Sequence, residues 1–330
     1  MTATVLLLTH RHDHYTVDRV AASLHRRGAK ALRLDTDRFP LEWSLDLRFD
    51  AQRSEARCWI GEECLESGDI TAVWLRHLGA PGAGEAVDPA YRAFSATESR
   101  LVLEGWLDAL RHARWMNPLA ACLAGELKAR QLRVALEQGL RVPATLATNR
   151  PEAVAPFFDA QNGALITKLQ APLSMSMDGR SPAFYTTALR SEDLEDLSGL
   201  RLCPQVFQER ISKAAELRVI YVDGRCFTGS VRPNAAMAVK DDWRPAQGLR
   251  WEEDALPAEV ERRFDAFMRA MGLNFGAADF IRTPEGEHVF LEINPCGEWG
   301  MLERDLDLPI SEAIAEALLV PASAPQEVTP

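Results

Sequence analysis

Residues 275–295 constrain this chain more than any other stretch. Two apolar runs flank Pro284-Glu285-Gly286-Glu287, a pattern that reads as a β-hairpin. With Glu285-Gly286 at the tip, Asp279 stands opposite Glu292, Phe280 opposite Leu291 and Ala278 opposite Ile293. Side chains alternate along a strand, so Ala278, Phe280 and Ile293 share an apolar face while Asp279, Glu292 and Asn294 share the other. Two carboxylates directly across a strand pair repel each other and weaken the sheet. A hard divalent cation reverses that sign, and two carboxylates with an amide oxygen form the open oxygen site that magnesium takes when it also holds phosphates. Spacing alone equally allows a solvated outer face of an edge hairpin.

The rest of the chain has to supply a setting for that hairpin. Its 330 residues predict two or three domains. A net charge of −11 argues against a coat for nucleic acid or for an anionic membrane, which needs surplus cations. Of the 37 cations only Lys30, Lys128, Lys168, Lys213 and Lys240 are lysines, which draws attention to each place where a compact ammonium is used. The six cysteines show neither a disulfide framework nor zinc spacing. The apolar run Val5 to Leu8 is too short for a signal peptide, and no stretch has the length of a membrane span, so a cytoplasmic location is expected.

The chain opens β-α-β: a strand at 4–8, a helix at 16–27 closed by Gly28, and a strand at 31–34. The first turn, residues 9–14, lacks a dinucleotide-binding glycine pattern. It holds His10, His12 and His14, a spacing suited to a strand face. Because this stretch enters a helix, a structural loop is expected rather than a metal site. Further strands are expected between residues 46 and 74, and Asp88-Pro89 opens a helix running to about 112. Asn117-Pro118 closes a first domain, 1–117. A helix over 119–138 and a strand at 164–169 fall in a second, 118–205, together with a mobile loop at 170–182. The third, 206–321, opens on a strand and contains a hairpin turning at Asp223-Gly224, with helices at 257–271 and 309–319; 322–330 is a tail.

Several motifs carry a family resemblance. Leu291-Glu292-Ile293-Asn294-Pro295, preceded by Gly276-Ala277-Ala278-Asp279-Phe280, resembles the metal-binding end of the ATP-grasp superfamily. Lys128 before Gly139, Lys168 in Leu165-Ile166-Thr167-Lys168-Leu169, Phe207-Gln208-Glu209-Arg210-Ile211 and Glu216-Leu217-Arg218-Val219 follow in the family's order. Near the N-terminus, residues 5–9, Asp13, 17–20 and 34–40 resemble the pre-ATP-grasp domain of the graspetide ligases, which include the microviridin-type peptide macrocyclases. Val73-Trp74-Leu75-Arg76 and the closing residues 294–299 are similar to that family too. Cys296-Gly297-Glu298 and His77 depart from its pattern.

The resemblance implies an α/β fold with an open-sheet N-terminal domain ahead of a two-lobed ATP-grasp core. It further implies an ATP-dependent ligase acting on a ribosomally made precursor peptide. A peptide Asp or Glu is activated as an acyl phosphate, and a Thr or Ser hydroxyl or a Lys amine displaces phosphate to give an ω-ester or ω-amide crosslink. The alternative is addition of a free amino acid or amine to a peptide or small carboxylate. Lys128 and Lys168 are expected on the nucleotide phosphates, Gln208 and Glu209 at adenine, Glu216 at ribose, and Asp279, Glu292 and Asn294 on Mg2+. Arg218 and Arg232 are expected near the acceptor, with Arg244 beside them. Residues 191–198 are expected to form a helix with an apolar seam, on which Glu192, Asp193 and Asp196 contact the leader. A homodimer is a further family expectation.

Overall fold

Val5, Leu6, Leu7 and Leu8 are all fully buried, because the strand that carries them lies inside a parallel sheet covered on both faces. The computed structural model describes residues 2–168, 186–232 and 250–321, so the expected loop at 170–182, Lys240, Arg244 and the tail lie outside the described residues. The sheet order is Lys30–Asp35, Thr4–Thr9, Ala72–Leu75, Arg114–Met116, with every pairing parallel. Val5 and Leu7 pack with the helix Tyr15–Arg26, and Leu6 and Leu8 with Leu103, Trp106 and Leu107 of the helix Arg92–Asp108. Asp88 accepts from the Ala90 N–H at 2.9 Å, but it caps a short 3-10 turn that precedes the α-helix. An antiparallel sheet of Trp43–Phe49, Ser54–Ile60 and Glu63–Glu66 adjoins.

A second sheet has the order Thr187–Ala188, Leu165–Lys168, Gln205–Glu209, Thr145–Thr148. Gln205–Glu209, expected at the opening of the third block, is therefore hydrogen-bonded inside the sheet of the second. The third sheet runs Glu252–Asp254, Arg225–Val231, Ala215–Val222, Phe275–Arg282, His288–Asn294 and is antiparallel throughout. Asp223 and Gly224 both adopt positive φ, 47° and 92°, which matches a tight hairpin turn to the twist of its strands. Helix Ala258–Met271 covers one face through Phe264, Phe267, Met268 and Met271. Part of the other face packs against helices Gly300–Leu306 and Ile310–Leu319; the remainder carries Arg218, Asp279 and Glu292.

Two expected helices are corrected. Residues 119–138 form two helices, Leu119–Gly125 and Lys128–Glu137. A Cβ on Gly125 would lie 2.7 Å from the Pro295 ring, and its carbonyl accepts from Gln131 Nε2 at 2.6 Å, so close packing turns the chain there. Residues 191–198 do not form one helix either. Ser191–Leu194 is a 3-10 turn, and a second one begins at Ser198. The carboxylates of Asp193 and Asp196 accept from the Arg190 and Ser198 N–H groups at 2.8 and 2.9 Å, offering the backbone a local alternative to helix.

The N-terminal helix Tyr15–Arg26 packs on Ile310–Leu319, and Glu312 hydrogen-bonds both Arg26 and Arg27 across that seam. Burial raises the Glu312 carboxyl, but the two guanidinium groups outweigh it and hold the group at about 2. The folded value lies below the unfolded one, so this contribution is present above the ordinary carboxylate range and is lost as pH falls towards 2. The stability gap between wild type and Glu312→Gln, read by urea unfolding, should narrow from about pH 5 to about pH 2. A constant gap across that window would refute the assignment.

Candidate active site

Cross-strand pairing of Asp279 with Glu292 and of Ala278 with Ile293 agrees with the sequence. Phe280 does not face Leu291. A bulge between Asp279 and Phe280 shifts the register, so Phe280 pairs with Phe290. The shift puts two phenylalanines, 1% and 0% exposed, into the core beneath Phe264. It also leaves Leu291 over, beside Glu292 on the wall of a cavity. Arg218 lies across from Asp279 on the adjacent strand, so Arg218, Asp279 and Glu292 form one row across three strands.

Charges in this row are paired. Arg218 Nε is 3.1 Å from Asp279 Oδ1, and Lys128 Nζ is 3.4 Å from Glu292 Oε2. Lys128 also donates to Asn294 Oδ1 at 3.3 Å and to the Ile293 carbonyl at 3.4 Å. Burial raises the Glu292 carboxyl, while Lys128 and Lys168 bring it below the usual carboxylate range. Gln131, one helical turn beyond Lys128 and 1% exposed, accepts from the Ile293 N–H at 2.9 Å and donates to its carbonyl at 2.8 Å. This amide fastens the strand carrying Glu292 and Asn294 to the helix carrying Lys128. Its only sequence signal is a glutamine on the stripe that begins at Lys128. Two carboxylate groups and an amide oxygen on adjacent strands are a hard-oxygen donor set that fits magnesium.

A cavity of about 620 Å³ opens beside the row, within the range of nucleotide-sized sites. Lys128, Lys168 and Glu292 form its charged end, with Leu132, Val142 and Val206 on its apolar walls. Gln208 and Glu209 line it as well. Gln208 is 3% exposed and donates to Thr145 Oγ1 at 2.9 Å, and Glu209 Oε2 accepts from the Ala144 N–H at 3.1 Å. Glu216 shares the sheet face of Arg218 and is hydrogen-bonded by Lys213. Arg232 is 70% exposed and 3.3 Å from Glu252, at the end of its strand. Glu192 lies apart from these residues, along a shallow groove with Phe158, Asn162, Leu189 and Arg190. Arg190 pairs with Glu192 and with Asp193.

The loop after Asn294 is gripped by the N-terminal domain, a contact the sequence did not signal. Arg76, with its side chain fully buried, donates to the Cys296 carbonyl at 2.5 Å and hydrogen-bonds Glu298; its Nε is 3.5 Å from Asp13. Asn117, fully buried, makes four hydrogen bonds. Its amide donates to the Phe275 and Pro295 carbonyls at 2.9 and 3.1 Å, and its oxygen accepts from the Asn274 and Phe275 N–H groups at 2.8 and 2.9 Å. A Cβ on Gly297 would lie 2.4 Å from Ala277 Cβ, so only glycine lets the loop sit this close to the sheet. The two departures from the family pattern meet here, with His77 Nε2 lying 3.6 Å from Glu298 Oε1.

Comparison with known proteins places these features. Residues 4–122 match the family model for the MvdD pre-ATP grasp domain. Macrocyclase MdnB from Microcystis aeruginosa MRC is 42% identical and aligns over 96% of this chain and 99% of its own, with a TM-score of 0.83. Macrocyclase MdnC from the same strain, solved bound with precursor peptide MdnA, is 34% identical over 96% of this chain and 99% of its own, with a TM-score of 0.85. A RiPP-associated ATP-grasp ligase from Chryseobacterium gregarium, solved with ADP and a leader and core peptide, is 27% identical over 96% of each chain, with a TM-score of 0.87. Among curated protein sequences nothing matches.

Proposed function

Since this chain belongs to the ATP-grasp ligases that mature ribosomally synthesised peptides, we propose that it closes rings within a precursor peptide by forming side-chain ω-ester or ω-amide bonds. The supporting observation is the convergence of Lys128, Lys168 and Glu292 at one end of a nucleotide-sized cavity, with Asp279 and Asn294 adjoining. ATP is the co-substrate. Its base lies against Leu132, Val142 and Val206 near Gln208 and Glu209, and Lys128 and Lys168 neutralise its phosphates. Glu216 takes the ribose by exchanging its bond to Lys213. Asp279, Glu292 and Asn294 hold Mg2+, which supplies charge neutralisation on the phosphates.

A core Asp or Glu carboxylate attacks the γ-phosphorus and ADP leaves, giving an acyl phosphate. A hydroxyl or amine of the same peptide then attacks the acyl carbon, and phosphate leaves. Arg218, and Arg232 at its strand end, offset the charge of a carboxylate approaching a triphosphate. The test is mass spectrometry of a candidate precursor peptide, leader and core together, after incubation with the enzyme, ATP and magnesium. Loss of one water per ring is expected; gain of a residue mass would favour amine addition instead.

The leader binds along the groove beside Glu192, where Asp193 and Asp196 add negative charge and a cationic residue of the peptide replaces Arg190 as partner. Glu192→Lys should weaken leader binding by about fivefold in fluorescence anisotropy, with a weaker effect at high salt. Unchanged affinity would move the leader elsewhere. The reading extends to a homodimer acting in the cytoplasm.

A further inference from the structure

The parallel N-terminal sheet has a topological switch point. From the central strand Thr4–Thr9 the chain crosses to Lys30–Asp35 on one side, while Ala72–Leu75 lies on the other. Open α/β sheets take their ligands in the crevice outside the carboxyl ends of such diverging strands. The residues that follow these two strands are His10, Arg76 and His77. The His10 and His77 rings lie 5.1 Å apart at 30°. Glu298 meets Arg76 and His77 at this end of the sheet, from a loop that turns directly from Asn294 through a Gly297 N–H to Asn294 carbonyl bond of 3.0 Å. The carboxyl ends of these N-terminal strands and the row of Asp279, Glu292 and Asn294 thus share one short loop, 294–298.

Resting on the ligase reading above, we propose that this crevice receives the peptide's attacking hydroxyl or amine, and that His77, backed by Glu298, is the base that takes its proton. Nε2 of His77 faces Glu298 Oε1 at 3.6 Å, and general-base geometry tightens in the reacting complex. With Nε2–H directed at the carboxylate, Nδ1 is left as the acceptor. The side chain is 29% exposed, enough to be reached. In the step, the O–H or N–H proton passes to Nδ1 as the oxygen or nitrogen bonds to the acyl carbon and the carbon–phosphate oxygen bond breaks. The imidazolium so formed is balanced by Glu298, and it returns its proton to solvent once phosphate has gone.

Glu298 suits that role because it does not itself take the proton. Burial raises its carboxyl, but His77 and Arg76 hold it at about 2. Arg76 is a positioning residue, fixing the carboxylate and, through the Cys296 carbonyl, the loop that bears it. Around the imidazole stand Glu298, Arg76 and His10; behind His10 lie Asp13, Asp37 and His12. Burial, and next His77, lower the His10 imidazole from its usual range.

The test separates the two half-reactions using the full-length enzyme, ATP, magnesium and the precursor peptide that the ring-closure assay identifies as substrate. Hydroxylamine traps the acyl phosphate as a hydroxamate and needs no base. His77→Gln should slow ring closure about 100-fold, while hydroxamate forms within about twofold of the wild-type rate. Glu298→Gln should lower kcat for closure by about tenfold with KM for ATP unchanged. Ring closure at the wild-type rate in His77→Gln, or an equal loss of hydroxamate, overturns the base assignment alone. A wild-type enzyme that forms no ATP-dependent hydroxamate overturns the ligase reading and this proposal with it.

Discussion

Glu292→Gln should reduce peptide ligation by about 10²- to 10³-fold, some 3–4 kcal/mol of transition-state stabilisation, with little change in the unfolding midpoint. Glutamine keeps the shape and can still meet Lys128, so the loss isolates the charge. That charge sits where Lys128 and Lys168 converge and opposite Asp279, the one place among the described residues of this sheet where two carboxylate groups are paired across strands. If magnesium is held there, the defect falls mainly on kcat and the apparent magnesium affinity, and raising magnesium recovers part of the rate. A loss below about tenfold would move the metal away from this row.

The second large effect is on stability. Asn117→Ala should cost about 3–5 kcal/mol in urea unfolding, because the fully buried side chain serves two N–H and two C=O groups that have no water to turn to. Asn117→Asp is a sharper probe: it keeps the acceptor but loses both donors, leaving the Phe275 and Pro295 carbonyls facing a carboxylate. It should be at least as damaging as alanine. A cost under about 1 kcal/mol for both would mean that the junction relaxes or admits water.

The hairpin face, the strand carrying Lys168, the β-α-β opening and the Asp223-Gly224 turn were legible because each rests on local periodicity or turn chemistry. Leu291 was misplaced because a bulge obeys packing: Phe280 and Phe290 reach the same core layer only if one residue is left out. The helix break ahead of Lys128 was invisible for a similar reason, since the ring that abuts Gly125 belongs to Pro295, far along the chain. Gln131 drew no notice in sequence, while Asn117 stood out only as a domain end and Arg76 only as part of a family motif. Their importance lies in backbone groups that only the folded chain brings to them. The segment 191–198 had the composition of a helix, but Asp193 and Asp196 spend their carboxylates on neighbouring N–H groups.

The grip of Arg76 on the loop at 296–298 bears on how such enzymes can be recombined. A chimera that takes its N-terminal domain from one ligase and its catalytic lobes from another places a foreign partner opposite a buried guanidinium, even when the fusion point is well chosen. Residues 76–77 and 296–298 therefore behave as a single inheritance unit, though some 220 positions separate them in the chain. Parents that differ at one end of this unit can be shuffled productively only when the other end travels with it.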